Sequence, residues 1–274
     1  MRKKFVTLML VFVLGSCVVN AQTSGGTKNV HELLSKMENL LASPNDESTF
    51  TNDSIIEEIN SIKLEVASFI GQDFPEKELL ADKMDELDLL KASIVGNEEE
   101  GSTARTGTWR YGDILYYGIG ADNAAGESSF TGHTAVLAVN PSYVVEASKT
   151  SNNGAKVHYW NVKNLWKGAS GIKQYYVHEY GDDSARATDK QRNAAVAFGV
   201  KQKDKPYAIR TPLWDDDSWY CSKLTYRQWY EAGIDLIPPI PGAGVLTFVL
   251  PLDIRMSAAT SLTKDWGTTL PEPY

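Results

Sequence analysis

The apolar residues of this 274-residue chain change their spacing near residue 100. Before that point they recur every three or four positions. After it they come in short alternating or continuous runs. The first spacing lines one face of a helix and the second one face of a strand, so the two halves must build different kinds of core. Three helices are predicted between residues 28 and 96. Val30, Leu33, Leu34, Met37, Leu40 and Leu41 form the first stripe; Ile55, Ile59, Ile62, Val66 and Phe69 the second; Leu80, Met84, Leu87, Leu90 and Ile94 the third. Ser54 and Glu57 have capping-box spacing, Pro75 fits a helix start, and Gly71 and Gly96 fit helix stops. His31-Glu32 lacks a second histidine four residues on, so it is not the zinc-protease helix motif. The region reads as a recognition module or as a bundle that caps the next domain.

Residues 97–108, GNEEEGSTARTG, form a polar linker. Beyond it, aromatic and β-branched runs are split by Gly, Asn, Asp and Pro. Strands are predicted at Asp113–Tyr117, His133–Val139, Tyr143–Ala147, Lys156–Trp160, Ile172–Tyr180 and Val245–Pro251. Helices are predicted at Thr188–Lys203 and Cys221–Ala232, with a short one at Ser257–Thr263. Strands with segregated helices imply an α+β domain with a mainly antiparallel sheet. The expected division is a leader over 1–21, a helical region and linker over 22–105, and the α+β domain over 106–274.

The leader, MRKKFVTLMLVFVLGSCVVNA, places three basic residues before an apolar run from Phe5 to Leu14. That run is too short to span a bilayer, which takes about 20 apolar residues, and the pattern is that of a secretory signal peptide. Two processing routes stay open. Val19-Asn20-Ala21 fits cleavage before Gln22, whereas Leu14-Gly15-Ser16-Cys17 resembles a lipobox in which Cys17 would be acylated. Both imply an extracytoplasmic protein: periplasmic, anchored to the envelope, or secreted. Contact with a membrane is expected only through a lipid on Cys17. Removing Arg2, Lys3 and Lys4 moves the net charge from −8 to −11, which disfavours nucleic acid as a partner.

The chain has two cysteines, Cys17 and Cys221. Exported proteins that use cysteine structurally hold it in pairs. Under either route Cys221 has no partner within the chain, so it is either a small buried hydrophobe or a reactive thiol. Its surroundings favour the second reading. Leu224, Tyr226, Trp229 and Tyr230 recur at helical spacing and Gly233 fits a stop, which puts Cys221 in a first helical turn. Unpaired N–H groups and the positive end of the helix dipole stabilise a thiolate there, and the same N–H groups suit an oxyanion.

A thiolate needs a base. His31 lies in the helical region, His158 is expected to be exposed, and His178 reads as a strand residue. His133 opens a strand directly after a Gly-rich loop and is the best candidate. Glu146, an acid inside an apolar run, needs a partner and could orient the imidazole. A turn at Asn140-Pro-Ser-Tyr143 would pair His133 with residue 150 and Glu146 with residue 137. The two would share a face but stand four residues apart, about 13 Å along the strand. A direct bond then requires an earlier turn or a bulge; otherwise another group orients the histidine.

Gly112-Asp-Ile-Leu115, Gly132-His-Thr-Ala-Val136, Val145-Glu-Ala147, and Trp219-Tyr-Cys-Ser-Lys-Leu224 with Gly233-Ile-Asp-Leu236 together resemble the permuted papain-like amidases. These are the YiiX-like branch of the NlpC-type cysteine hydrolases, in which the histidine strand precedes the cysteine helix. Lys205-Pro-Tyr207 and Pro251-Leu-Asp-Ile254 followed by Ser257 also look like the branch, so the resemblance covers roughly residues 109–266. It implies a permuted papain-like fold, Cys221 as nucleophile, His133 as general base and Glu146 as third polar residue. Asp113 would be structural. Tyr220, Tyr207 and Ser222 would line the site or its oxyanion hole. Lys223 departs from the acidic residue expected at its position, and is expected to face outward.

The implied activity is hydrolysis of an amide through an acyl-enzyme, without metal or other cofactor. Peptide amides of the cell wall are the first substrate class, and lipid amides or N-acyl amino acids the second. A catalytically silent binding module on the same fold is the rival of another class, with Trp214–Tyr230 as its ligand surface.

Overall fold

The computed structural model describes residues 23–42, 51–98 except 71 and 73, 109–121 except 119, 131–238 except 141 and 152, and 247–268. The leader, most of the linker and Gly71 lie outside these residues. Helices α1 (Thr23–Ala42), α2 (Asn52–Val66) and α3 (Lys77–Glu98) come first. The predicted stripes are their buried faces: Met37, Ile59, Ile62, Leu80 and Leu87 are fully enclosed. Two boundaries differ from expectation. The reciprocal bonds at the start of α2 link Thr51 and Ser54 (Ser54 N–H to Thr51 Oγ1, 3.2 Å; Thr51 N–H to Ser54 Oγ, 3.0 Å), so the cap falls one turn before Ser54. Helix α3 also runs through Gly96 to Glu98, because a glycine costs a helix only about 1 kcal/mol.

Seven antiparallel strands follow among the described residues: β1 (Ile114–Tyr117), β2 (His133–Leu137), β3 (Tyr143–Thr150), β4 (Gly154–Asn161), β5 (Ile172–Glu179), β6 (Asp182–Arg186) and β7 (Thr260–Gly267). They run in the order β4-β3-β2-β1-β5-β6, with β7 on the other side of β5. Helices α4 (Asp189–Lys201), α5 (Cys221–Glu231) and the short α6 (Pro251–Arg255) complete the chain. Mixed helices and an antiparallel sheet are the fold class read from the sequence.

Alternation along the strands gives the sheet two apolar faces. Ile114, Val136, Val145 and Val157 meet Ala195 of α4 and Leu224 and Trp229 of α5. Leu115, Tyr117, Leu137 and Val144 meet Leu165 and Trp166, which follow β4. Helices α4 and α5 approach β3 so closely that a Cβ on Gly199 would stand 2.3 Å from the Gln228 side chain and 2.9 Å from Val145.

Two predictions at the C-terminal side are corrected: residues 247–250 form no strand, and the expected helix Ser257–Thr263 is mostly strand β7. Residues 245 and 246 of the expected strand lie outside the described residues, and strand β6 was not anticipated. Pairing with β5 from Ile172 to Val177 supplies β7 with backbone partners that outweigh its weak local signal. Strand β6, Asp-Asp-Ser-Ala-Arg, is half-exposed and lacks an apolar alternation.

The helical region meets the sheet domain through buried charges. Lys63 Nζ donates to Asp88 (2.7 Å), to the Thr260 carbonyl (2.9 Å) and to Ser261 Oγ (2.7 Å). Lys91 pairs with Asp183 at 2.6 Å, Arg255 with Asp85 at 2.6 Å, and Lys77 with Asp253 at 2.8 Å. Removing one partner of such a pair leaves an uncompensated buried charge, which costs about 3–5 kcal/mol. Leu252 and Met256 are built into the hydrophobic core of the helices. The arrangement favours the capping-bundle reading of residues 28–96.

The outer edge of β4 is also covered. Residues 204–207 run along it, with Val157 N–H bonded to the Lys205 carbonyl (2.8 Å) and Tyr207 N–H to the Ala155 carbonyl (3.0 Å). Tyr207 then bridges to Trp219, so the covering segment is tied to the chain entering α5.

Candidate active site

Helix α5 starts at Cys221, and Tyr220 at its N-cap supplies no side-chain cap. The first-turn amides are therefore left to the site. Residues Cys221 to Trp229 are all buried, so this stretch of the helix is enclosed on every side. Cys221 is a free, buried thiol. His133 is the first residue of β2 and follows Gly132, whose φ of +77° suits glycine. A Cβ at Gly132 would stand 2.9 Å from the Tyr117 carbonyl oxygen.

The β2–β3 register differs from the one expected of the sequence. Val136 faces Val145 and Leu137 faces Val144, which sets residue 148 opposite His133. The Asn140–Tyr143 turn forms where expected, with Tyr143 N–H bonded to the Asn140 carbonyl at 2.9 Å, but Ala138 N–H bonds the Tyr143 carbonyl at 2.9 Å, so Val139 and Asn140 are looped out of the pairing and Glu146 stands two residues from direct opposition rather than four. Diagonal neighbours on one face are within reach of long side chains. His133 Nε2 lies 2.7 Å from Glu146 Oε2. The other ring nitrogen, Nδ1, is left for the thiol, and Cys221 and His133 interact through both charge and a hydrogen bond.

Glu146 is fully buried. Besides His133 it accepts from two indoles: Trp166 Nε1 at 2.9 Å and Trp160 Nε1 at 2.5 Å. These tryptophans were not anticipated as site residues. An acid within an apolar strand, followed by two tryptophans that each carry a single N–H donor, was the available signal. Trp166 also packs against Tyr117, and both rings flank the imidazole, at 5.5 Å for Trp166 and 5.4 Å for Tyr117.

The electrostatics follow from these neighbours. Burial opposes ionisation of Cys221. The His133 charge and hydrogen bond, then the N–H groups of Thr134 and Ser222, outweigh it and hold the thiol below its ordinary value. Burial also opposes the imidazolium, yet Cys221 and then Glu146 raise His133 to about 10. Both shifts favour a thiolate–imidazolium pair over two neutral groups.

The remaining sequence candidates fall in different places. Tyr207 is near the thiol: burial, then the Cys221 charge, raise its phenol above the ordinary range. The Tyr220 oxygen accepts from Val249 N–H (3.2 Å), and Ser222 Oγ donates to the Val249 carbonyl (2.8 Å). Asp113 accepts from Arg110 and Gln174, and burial raises it to about 6. His31 sits on α1, exposed, 3.7 Å from Glu76.

Two expectations are corrected. His158 is buried and stacks on Trp160 with ring centres 3.8 Å apart, because it lies directly across from Glu146 on the covered face. Lys223 is fully buried rather than outward-facing. Its ammonium donates to the Ser218 carbonyl (2.8 Å), to Thr211 Oγ1 (3.2 Å) and to the Asp215 carbonyl. Burial lowers it to about 8. It ties the loop before Cys221 to α5, a role invisible to periodicity because α5 has no solvent face from Cys221 to Trp229.

Comparison with known proteins agrees with the sequence resemblance. Residues 108–238 match the family described as permuted papain-like amidase enzyme, YaeF/YiiX, C92 family. No curated protein matches the chain. A crystal structure described as metalloprotein yiiX from Escherichia coli O157:H7 is similar at 16% identity and a TM-score of 0.41, covering 57% of this chain and 97% of that one.

Proposed function

We propose, proceeding from the permuted papain-like amidase match over residues 108–238, that this chain is an extracytoplasmic cysteine hydrolase. It cleaves amide bonds in cell-wall peptides through an acyl-enzyme. The observation that carries the reading is one buried imidazole shared between a thiol and a carboxylate: His133 interacts with Cys221 and lies 2.7 Å from Glu146.

Cys221 thiolate attacks the amide carbonyl carbon, and the carbonyl electron pair moves onto oxygen. First-turn amides of α5 stabilise that oxyanion. The His133 imidazolium gives its proton to the leaving nitrogen as the C–N bond breaks, leaving a thioester and a neutral imidazole. His133 then takes a proton from water. The resulting hydroxide adds to the thioester, and collapse expels the thiolate and regenerates the ion pair. Glu146, held by two indole N–H groups, keeps the ring oriented and stabilises its cation. The leader supports an extracytoplasmic location, and that location favours cell-wall peptides over lipid amides.

The test is a panel of peptidoglycan fragments and N-acyl amides assayed with wild type and Cys221→Ala. Wild type should hydrolyse a peptide amide and the variant should not. Equal rates would remove Cys221 from the chemistry, and turnover confined to acyl amides would move the substrate class to lipids. Iodoacetamide near pH 6 should alkylate Cys221 rapidly, as an ion-paired thiolate requires.

A further inference from the structure

Cys221 has two sequence neighbours, and both bond to a single residue far along the chain. The Tyr220 phenol accepts from Val249 N–H and the Ser222 hydroxyl donates to the Val249 carbonyl. Val249 is fully buried. The same strap continues to the base: a Cβ at Gly132, the residue before His133, would stand 3.4 Å from the Pro251 side chain. Residues 249–251 therefore touch the flanks of both groups that must meet.

The strap is not anchored only by its own domain. Leu250 N–H donates to Asp253 Oδ2 at 2.8 Å, and Asp253 Oδ1 accepts from Lys77 Nζ at 2.8 Å. Lys77 opens α3 and also donates to the Gln72 carbonyl at 2.9 Å. Both partners of the ion pair are buried, Lys77 at 5% exposure and Asp253 at 1%. Leu252 and Met256, on either side of Asp253, belong to the core formed by α1 to α3. The strap is thus fixed to the helical region by one buried charge pair and two core residues.

We infer that the N-terminal helices hold nucleophile and base in register through residues 249–253, and that Lys77 is a positioning residue of the site. This rests on the reading of Cys221 and His133 as nucleophile and base. Lys77 touches neither residue. It acts through Asp253, which sets the backbone that Val249 presents to Tyr220 and Ser222. A displacement of about 1 Å in a reacting pair can cost about 10²-fold in rate, and taking the Lys77 ammonium from the buried Asp253 carboxylate would drive such a movement. The helices therefore belong to the catalytic apparatus although the family match begins after them.

The experiment compares full-length wild type, Lys77→Met, Lys77→Arg and Lys77→Met with Asp253→Asn. Each is studied well below its measured unfolding midpoint. Cys221 alkylation by iodoacetamide is followed against pH, and kcat and KM are measured on the substrate found above. Lys77→Met should shift the alkylation profile upward by about one pH unit and lower kcat about tenfold with KM little changed. Lys77→Arg should restore both. Adding Asp253→Asn should recover the midpoint by removing the charge that Lys77 balanced, but not the profile, which a purely structural role would let recover. If Lys77→Met lowers the midpoint while rate and profile match wild type, the inference is overturned. Should Lys77→Met fail to fold, Asp253→Asn alone carries the same comparison. The wild-type profile separates the two claims. An ordinary thiol profile there removes the nucleophile reading, while the difference between wild type and variant still reports on positioning.

Discussion

His133 and His178 are both buried strand histidines, and they are driven in opposite directions. His133, at the Cys221 site, is raised to about 10; His178, at the seam between the helices and β5–β7, is lowered to about 4. Burial alone would lower both. At the site, the thiolate and Glu146 overcome burial. At the seam, Lys63 and Lys91 add to it, and only a backbone carbonyl and Asp183 oppose. His178 is accordingly a neutral structural residue, with Nε2 3.1 Å from Ser261 Oγ and Nδ1 2.8 Å from the Glu179 carbonyl. The charges facing a buried ring decide between an ion-pair partner and a packing residue.

That contrast can be broken at either end. The largest effect is expected from Cys221→Ala, which should lower hydrolysis about 10⁴-fold or more and move the unfolding free energy by no more than about 1 kcal/mol. Glu146→Gln comes next. Rate should fall about 10²-fold, and the alkaline limb of the pH–rate profile, near pH 10 in wild type, should move down because the imidazolium loses its carboxylate. An unmoved limb would show that Glu146 does not support the cation.

The seam should respond in stability rather than rate. His178 binds its proton more weakly folded than unfolded, so its contribution is complete above about pH 6.5 and lost as pH falls through about 4. Chemical denaturation of His178→Gln across that window should lack on the order of 3 kcal/mol of the wild-type loss. His133 has the reverse sign: its contribution is complete below about pH 6.5 and disappears as pH rises through about 10. The smallest effect is expected of Ser261→Ala, about 1–2 kcal/mol from two lost buried hydrogen bonds, with kcat and KM unchanged. A change in rate there would merge the two regions that the histidines distinguish.

The sequence carried the helical stripes, the first five strands, four of them to within two residues at both ends, and the encounter of Cys221 with His133. These depend on local periodicity and on residue types with few alternative uses. What stayed hidden depends on distant partners. Strand β7 exists because β5 pairs with it, and Glu146 reaches His133 because Val139 and Asn140 are looped out before the turn, which slips the register by two residues. Trp160 and Trp166 became visible as donors only once the carboxylate between them was placed. Lys223 departs from expectation because a charged residue in an amphipathic helix ordinarily faces water, and α5 has no such face from Cys221 to Trp229.

The segment over β4 has a consequence for how this protein fails. Residues 204–207 occupy backbone groups that would otherwise form an open sheet edge, and Tyr207 connects them to Trp219, two residues before the thiol. An unpaired edge is a template for another chain. Loosening this one stretch would disturb the approach to Cys221 and uncover an adhesive strand at the same time. Loss of turnover on heating should therefore be followed closely by self-association, with turbidity rising as activity falls and both responding together to protein concentration.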